Sequence, residues 1–172
     1  MAWDYFHGND NKFDPLRVGQ RPWIINYIED HDLWRFLLPG SKAVRAWRQC
    51  QDQTFERWNE IAQMPLEELI GIINQGEILL KFRDKLVEEM ASHAVEKEVG
   101  GLKMPVVNCS VLFSEVAERL ALSHSSRAAA YYFDREDGKR QWGMRSCGDI
   151  DVSEIAKKYG GGGHKNAAGF VE

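Results

Sequence analysis

Four consecutive glycines, Gly160–Gly163, run directly into His164 and constrain this chain more than any other stretch. Each glycine loses more backbone freedom on folding than any other residue, about 0.5–1 kcal/mol against alanine in regular structure. A run of four therefore implies a compensating use. Either the loop needs positive φ and close backbone approach to a ligand, or it only turns tightly between packed elements. The residues that follow, "HKNAAGF", read as a short helix, whose N-terminal N–H groups carry about half a positive charge and suit a phosphate. On this reading Gly161, Gly162 and Gly163 supply amides and His164 donates from the mouth of the site. Ala167 and Ala168 let the helix lie close to a sheet.

The flanking segments place that loop in a small domain. "MPVVNCSV" reads as a strand and "LFSEVAERLALS" as an amphipathic helix. "AAAYYFDREDGKRQWGMRS" reads as two strands joined at Asp137-Gly138, a hairpin signal. "DVSEIAKKY" reads as a helix with a capping box from Asp151 to Glu154. Arg145 and Ser146 end the second hairpin strand beside the glycine loop, where a guanidinium fork suits phosphate or carboxylate; a surface ion pair is the plainer use of Arg145. Asn108, at the end of the "VVN" strand, is a further candidate with a turn-forming alternative.

Upstream the texture is helical. "RPWIINYIEDHDLWRFLLPG" is dense in apolar residues, opens with Pro22 and stops at Pro39-Gly40. Ser41 is a candidate cap for a helix over "KAVRAWRQCQDQTFERWNEIA". Pro65 opens a second helical pattern that predicts one long amphipathic helix to Gly100-Gly101, a domain connector or a core helix. "MAWDYFHGNDNKFDP" reads as the tail of a packed helix, with Trp3, Tyr5 and Phe6, then loop chemistry. The expected fold class is α+β: a helical portion over 1–65, a connector helix over 66–100, and a small mixed β-sheet domain with flanking helices over 101–172.

Charge and cysteine usage narrow the function classes. A formal net charge of -4 argues against coating of duplex nucleic acid, which wants a basic surface, but leaves room for a local anion site. Cys50, Cys109 and Cys147 are widely spaced with no CxxC, as expected of reduced thiols in a cytoplasmic protein. No leader pattern or membrane-length apolar run is evident, so a soluble protein with no membrane partner is expected.

The segment "MRSCGDIDVSEIAKKYGGGGHKNAAGF", residues 144–170, resembles the C-terminal substrate-binding module of the DHH phosphoesterases. That resemblance implies a grip on substrate phosphate by Arg145, the glycines and His164. "AWDYFHG…RPWIINYIEDHDLWRFLLPGS" is similar to the end of the catalytic domain of the same family. It implies a manganese (or magnesium) pair, with Asp30 the first candidate ligand and Asp32 the second. From the residues alone, a solvated turn at "EDHD" is the stronger reading.

The family's aspartate pair and DHH segment have no counterpart in this chain. The expectation is therefore the C-terminal portion of a metal-dependent phosphoesterase acting on short oligonucleotides or nucleotides. The isolated chain should be weak or inactive, and a separate N-terminal chain would complete it. A homodimer would cover the exposed helices alone. The alternative is a non-catalytic nucleotide-phosphate-binding module or regulatory subunit; a purely structural protein is a third reading.

Overall fold

The computed structural model describes residues 21–172. Trp3, Tyr5, Phe6 and the loop reading after them lie outside the described residues. The chain divides into two compact units, Met1–Arg83 and Asp84–Glu172. Among the described residues no helix is long and apolar enough to cross a membrane.

The N-terminal unit is helical. Helix α1, Trp23–Asp32, follows Pro22 and buries Trp23, Ile24 and Tyr27. Its two amphipathic aromatics each spend their polar tip on the backbone. Trp23 Nε1 donates to the Met64 carbonyl (3.0 Å) and Tyr27 OH to the Pro39 carbonyl (2.8 Å). Helix α2, Ser41–Gln49, adds Val44 and Trp47 to that core, and helix α3, Phe55–Gln63, adds Ile61.

Two sequence expectations fail here. The helix predicted over 42–62 is broken at Cys50–Thr54, because Thr54 caps a new start by accepting from Arg57 N–H at 3.2 Å. Ser41 does not cap α2. Gly40, at φ 66°, holds the cap position and Ser41 is the first helical residue.

Pro65 leads a 3₁₀ turn, Leu66–Glu68, into helix α4, Leu69–Ser92. Gly76 lets α4 meet α2: a Cβ there would lie 2.0 Å from the Ala43 carbonyl oxygen. The helix does not run to Gly100. Strand β1, Val95–Val99, and strand β2, Leu102–Asn108, pair antiparallel with Val99 opposite Leu102. The two-residue loop between them, Gly100 (φ 59°) and Gly101 (φ 95°), has the double positive φ of a hairpin turn rather than a helix cap. Ala94 and Val95 matched the helical period, and only pairing with β2 separates the two readings.

The C-terminal unit is one six-stranded mixed sheet in the order β1-β2-β3-β4-β6-β5. Helix α5, Phe113–Ser123, crosses over between the parallel strands β2 and β3 (Ala128–Asp134). Strand β4, Arg140–Ser146, returns antiparallel to β3. Helix α6, Val152–Lys158, follows, then strands β5, Gly162–His164, and β6, Ala167–Val171.

Each face has its own core. On one side α5 covers Val107, Ala129 and Tyr131. On the other, α6 covers Met104, Ala130, Met144, Ala168 and Phe170. The α+β class holds. The short helix predicted for "HKNAAGF" is instead the β5–β6 hairpin, so no helix N-terminus faces the glycine run. Seven residues are too few for a stable isolated helix, whereas the free edge of β4 pairs with Ala167–Val171, which in turn pair with Gly162–His164.

Candidate functional site

Sheet register assembles the glycine–histidine stretch. Arg145 lies opposite Ala167 on β6, and Ala167 lies opposite His164 on β5. Directly opposed residues share a face, so the Arg145 and His164 side chains stand on one rung with a methyl group between them. Two strand spacings separate their backbones, roughly 10 Å. The neighbouring rung on the same face is Gly143, Gly169 and Gly162. Three glycines abreast carry no side chains beside the two basic ones, and of the three only Gly162 faces open space.

This glycine strip is bounded on one side. The Tyr131 ring lies over Gly143, where a Cβ would come within 2.1 Å of it. Phe113 stacks on Tyr131 at 4.7 Å. At Gly162 a Cβ would meet nothing within 4 Å, so this end is open. Gly163, at φ 145°, turns its back to the other face, where a Cβ would collide with Ala168. Strand β5 is the sheet edge, so its outward amides lack a neighbouring strand and can receive an anion.

Arg145 is held in place. Its Nε donates to Ser114 Oγ (3.1 Å) at the start of α5, and Nη1 donates to the Met144 carbonyl (3.0 Å). Burial pushes the Tyr131 hydroxyl up, against the opposing pull of Arg145. His164 is exposed, and its side chain has no hydrogen bond or ion pair among the described residues. The arrangement presents a fixed guanidinium, a free imidazole and unpaired amides around an open surface, which together can bind a phosphate.

Two of the residues read from sequence are not on this face. Ser146 is the next residue along β4 and projects to the opposite side. Its Oγ donates to the Ile150 carbonyl (2.8 Å), tying the loop before α6. Asn108 pairs in register with Tyr132, away from the Arg145 rung, and shares the parity of Val106 on the α6 side. The Asp151 cap is present, with Ser153 N–H donating to its carboxylate at 2.9 Å; Glu154 does not complete a box but pairs with Lys157.

Gly143, Gly169 and Ser114 were missed. The first two sit two residues from Arg145 and Ala167, a period-two signal that a helical reading of "AAGF" hides. Nothing local marks Ser114.

Asp30 and Asp32 part company. Asp30 is fully buried, and its carboxylate accepts from Leu37 N–H (2.8 Å) and Leu38 N–H (3.3 Å). Asp32 is exposed, with Oδ1 3.4 Å from His31 Nδ1. Among the described residues no three His, Cys, Asp or Glu side chains gather to hold a metal ion. These residues do not by themselves fit a two-metal centre.

Residues 111–171 match the DHHA1 domain. Over 180 residues the chain is 24% identical to the uncharacterized protein R106 of Acanthamoeba polyphaga mimivirus, covering 99% of this chain and 40% of that protein. Among solved structures, the DHH domain of a protein described as a member of a family of ribosomal proteins superposes with a TM-score of 0.51 at 10% identity, over 93% of this chain and 43% of that one. A pGpG-specific phosphodiesterase from Vibrio cholerae superposes with a TM-score of 0.46 at 12% identity, over 99% and 60%. The chain thus spans less than two-thirds of the length of each.

Proposed function

This chain carries the DHHA1 domain of the DHH family, and from that premise we propose that it is the substrate-gripping part of a phosphoesterase acting on short oligonucleotides or nucleotides. The carrying observation is the shared rung of Arg145 and His164 beside the glycine strip. Arg145, fixed through Ser114, supplies a permanent positive charge. His164 and the edge amides of β5 close on the remaining oxygens of one substrate phosphate. Gly162 leaves the space into which that phosphate fits.

Hydrolysis by such an enzyme would use bound manganese or magnesium to activate water and steady the leaving oxygen. The ligands for it would come from residues outside the described ones, on this chain or on a separate N-terminal partner. A second reading, nucleotide-phosphate binding without hydrolysis, is favoured by one observation: both Asp30 oxygens are engaged by backbone N–H groups.

The test is a titration of the chain with a short 5′-phosphorylated oligonucleotide, followed by amide and side-chain shifts, beside a cleavage assay with manganese. Arg145→Ala and His164→Ala should each weaken binding about tenfold, the loss of one charge-assisted hydrogen bond. Unchanged binding in both variants refutes the assignment. Cleavage by the chain alone, or only with a partner chain, favours the enzyme reading; binding with no cleavage in any mixture favours the second.

A further inference from the structure

Helix α4 has two apolar faces where a surface helix needs one. Leu69, Ile72 and Ile73 turn inward to the core of the N-terminal unit, and Gly76 meets α2. On the outer side stand Leu66, in the 3₁₀ turn, and Ile70, Ile78 and Phe82, in the helix, all between 45% and 71% exposed. They fall on a spacing of four residues, with the exposed Asn74 filling the middle place. Residues at that spacing form one continuous ridge along a helix. Contiguous exposed apolar side chains of this kind mark an interaction surface.

The ridge reads alike in both directions about Asn74. An antiparallel copy of it, related by a two-fold axis through Asn74, sets Leu66 opposite Phe82, Ile70 opposite Ile78, and Asn74 opposite its own copy. The same register sets Glu67 opposite Lys81 at both ends. Both residues are exposed and make no ion pair among the described residues. The charges therefore complement one another in the register that matches the apolar side chains. A slip of one ridge position would press Asn74 against an aliphatic side chain, so the central amides fix the alignment. Gly71, with nothing within 4 Å of where a Cβ would stand, leaves room beside the axis for close approach.

We propose that this ridge is the interface of a two-fold symmetric dimer, its occupant a second copy of this chain. A contact of that symmetry needs a self-complementary patch, and a ridge palindromic in both residue type and charge is one. Ridges built from residues four apart pack into each other's grooves with the helix axes crossing at about 50°. Every residue of the interface lies within the N-terminal unit, so the dimer is independent of the Arg145–His164 face. A separate N-terminal chain is the rival occupant, but it would not require the palindrome.

The experiment is sedimentation of the full chain from micromolar to near-millimolar concentration. The mass should rise toward twice that of one chain. Ile70→Gln and Ile78→Gln place a good helix former at an exposed position, so the urea midpoint should not move. Each should nevertheless weaken the dimer at least about tenfold, because every substitution enters the interface twice. Glu67→Lys and Lys81→Glu each set like charges opposite one another at both ends and should weaken it severalfold. Mixing those two variants restores opposite charges at both ends and should recover the parent's affinity. A single-chain mass at every concentration, a dimer indifferent to Ile70→Gln and Ile78→Gln, or no recovery on mixing overturns the proposal.

Discussion

Replacing Asp30 by asparagine separates a loop-holding role from a metal-holding one. The carboxylate closes the segment after α1: its oxygens accept from Leu37 N–H and Leu38 N–H, and its backbone carbonyl accepts from Arg35 N–H at 2.9 Å. Within this segment Trp34 and Phe36 adopt φ of 56° and 51°, conformations that cost on the order of 1 kcal/mol each for non-glycine residues. Asparagine keeps one acceptor and turns an amide N–H₂ toward the other donor.

The Leu37 amide lies at an exposed residue and can rehydrate, whereas Leu38 is buried and cannot. One lost charge-assisted bond and one stranded donor, less the strain released, come to about 2 kcal/mol. For a unit this small the urea dependence is about 1 kcal/mol per molar, so the midpoint should fall by about 2 M. Tryptophan fluorescence reports the right unit, since Trp142 alone of the six lies beyond Arg83. Alanine should cost about 3 kcal/mol, having no acceptor at all. A metal-free Asp30→Asn chain as stable as the parent, or more so, would refute the reasoning. A carboxylate kept only for a cation is a desolvation burden in the cation's absence, and losing its charge is then a relief.

Three further outcomes follow from the geometry. Gly162→Ala should fold normally, because its Cβ enters open space, yet weaken oligonucleotide binding by about tenfold if phosphate sits against that strip; equal binding in a titration would place the ligand elsewhere. Gly76→Ala forces a methyl into the Ala43 carbonyl and should destabilise the N-terminal unit by about 3 kcal/mol, read as a lowered urea midpoint. The Ser153 hydroxyl and amide hold the Asp151 carboxyl below the usual range. Its contribution to α6 is therefore present above the unfolded carboxylate pKa and lost as pH falls through the lowered folded value. The protection factors of the α6 amides should fall below about pH 4 in the parent, and lose that pH dependence in Asp151→Asn.

Local chemistry alone determined a good part of this protein. Asp137-Gly138 marks a turn because its neighbours alternate, and Asp151 marks a helix start because its side chain reaches Ser153 N–H; both depend on residues within a few positions. The same holds for the break before α3, legible after the fact in the Thr54 cap. Arg145, His164 and the glycines were also singled out together, through the family resemblance of residues 144–170, and the register puts Arg145 and His164 on one rung.

The tertiary structure decided where those groups meet. Gly162–Val171 has no strong local preference, and it becomes a hairpin only because β4 offers an open edge. That insertion puts β6 between β4 and β5, bringing Arg145 and His164 to one rung and sending Ser146 to the far side by the alternation of a strand. Likewise the Val95–Val99 segment is a strand only beside β2. Hydrogen bonds between distant segments carry no trace in the residues of either partner, so register, and with it the face each side chain occupies, exists only once the sheet is assembled.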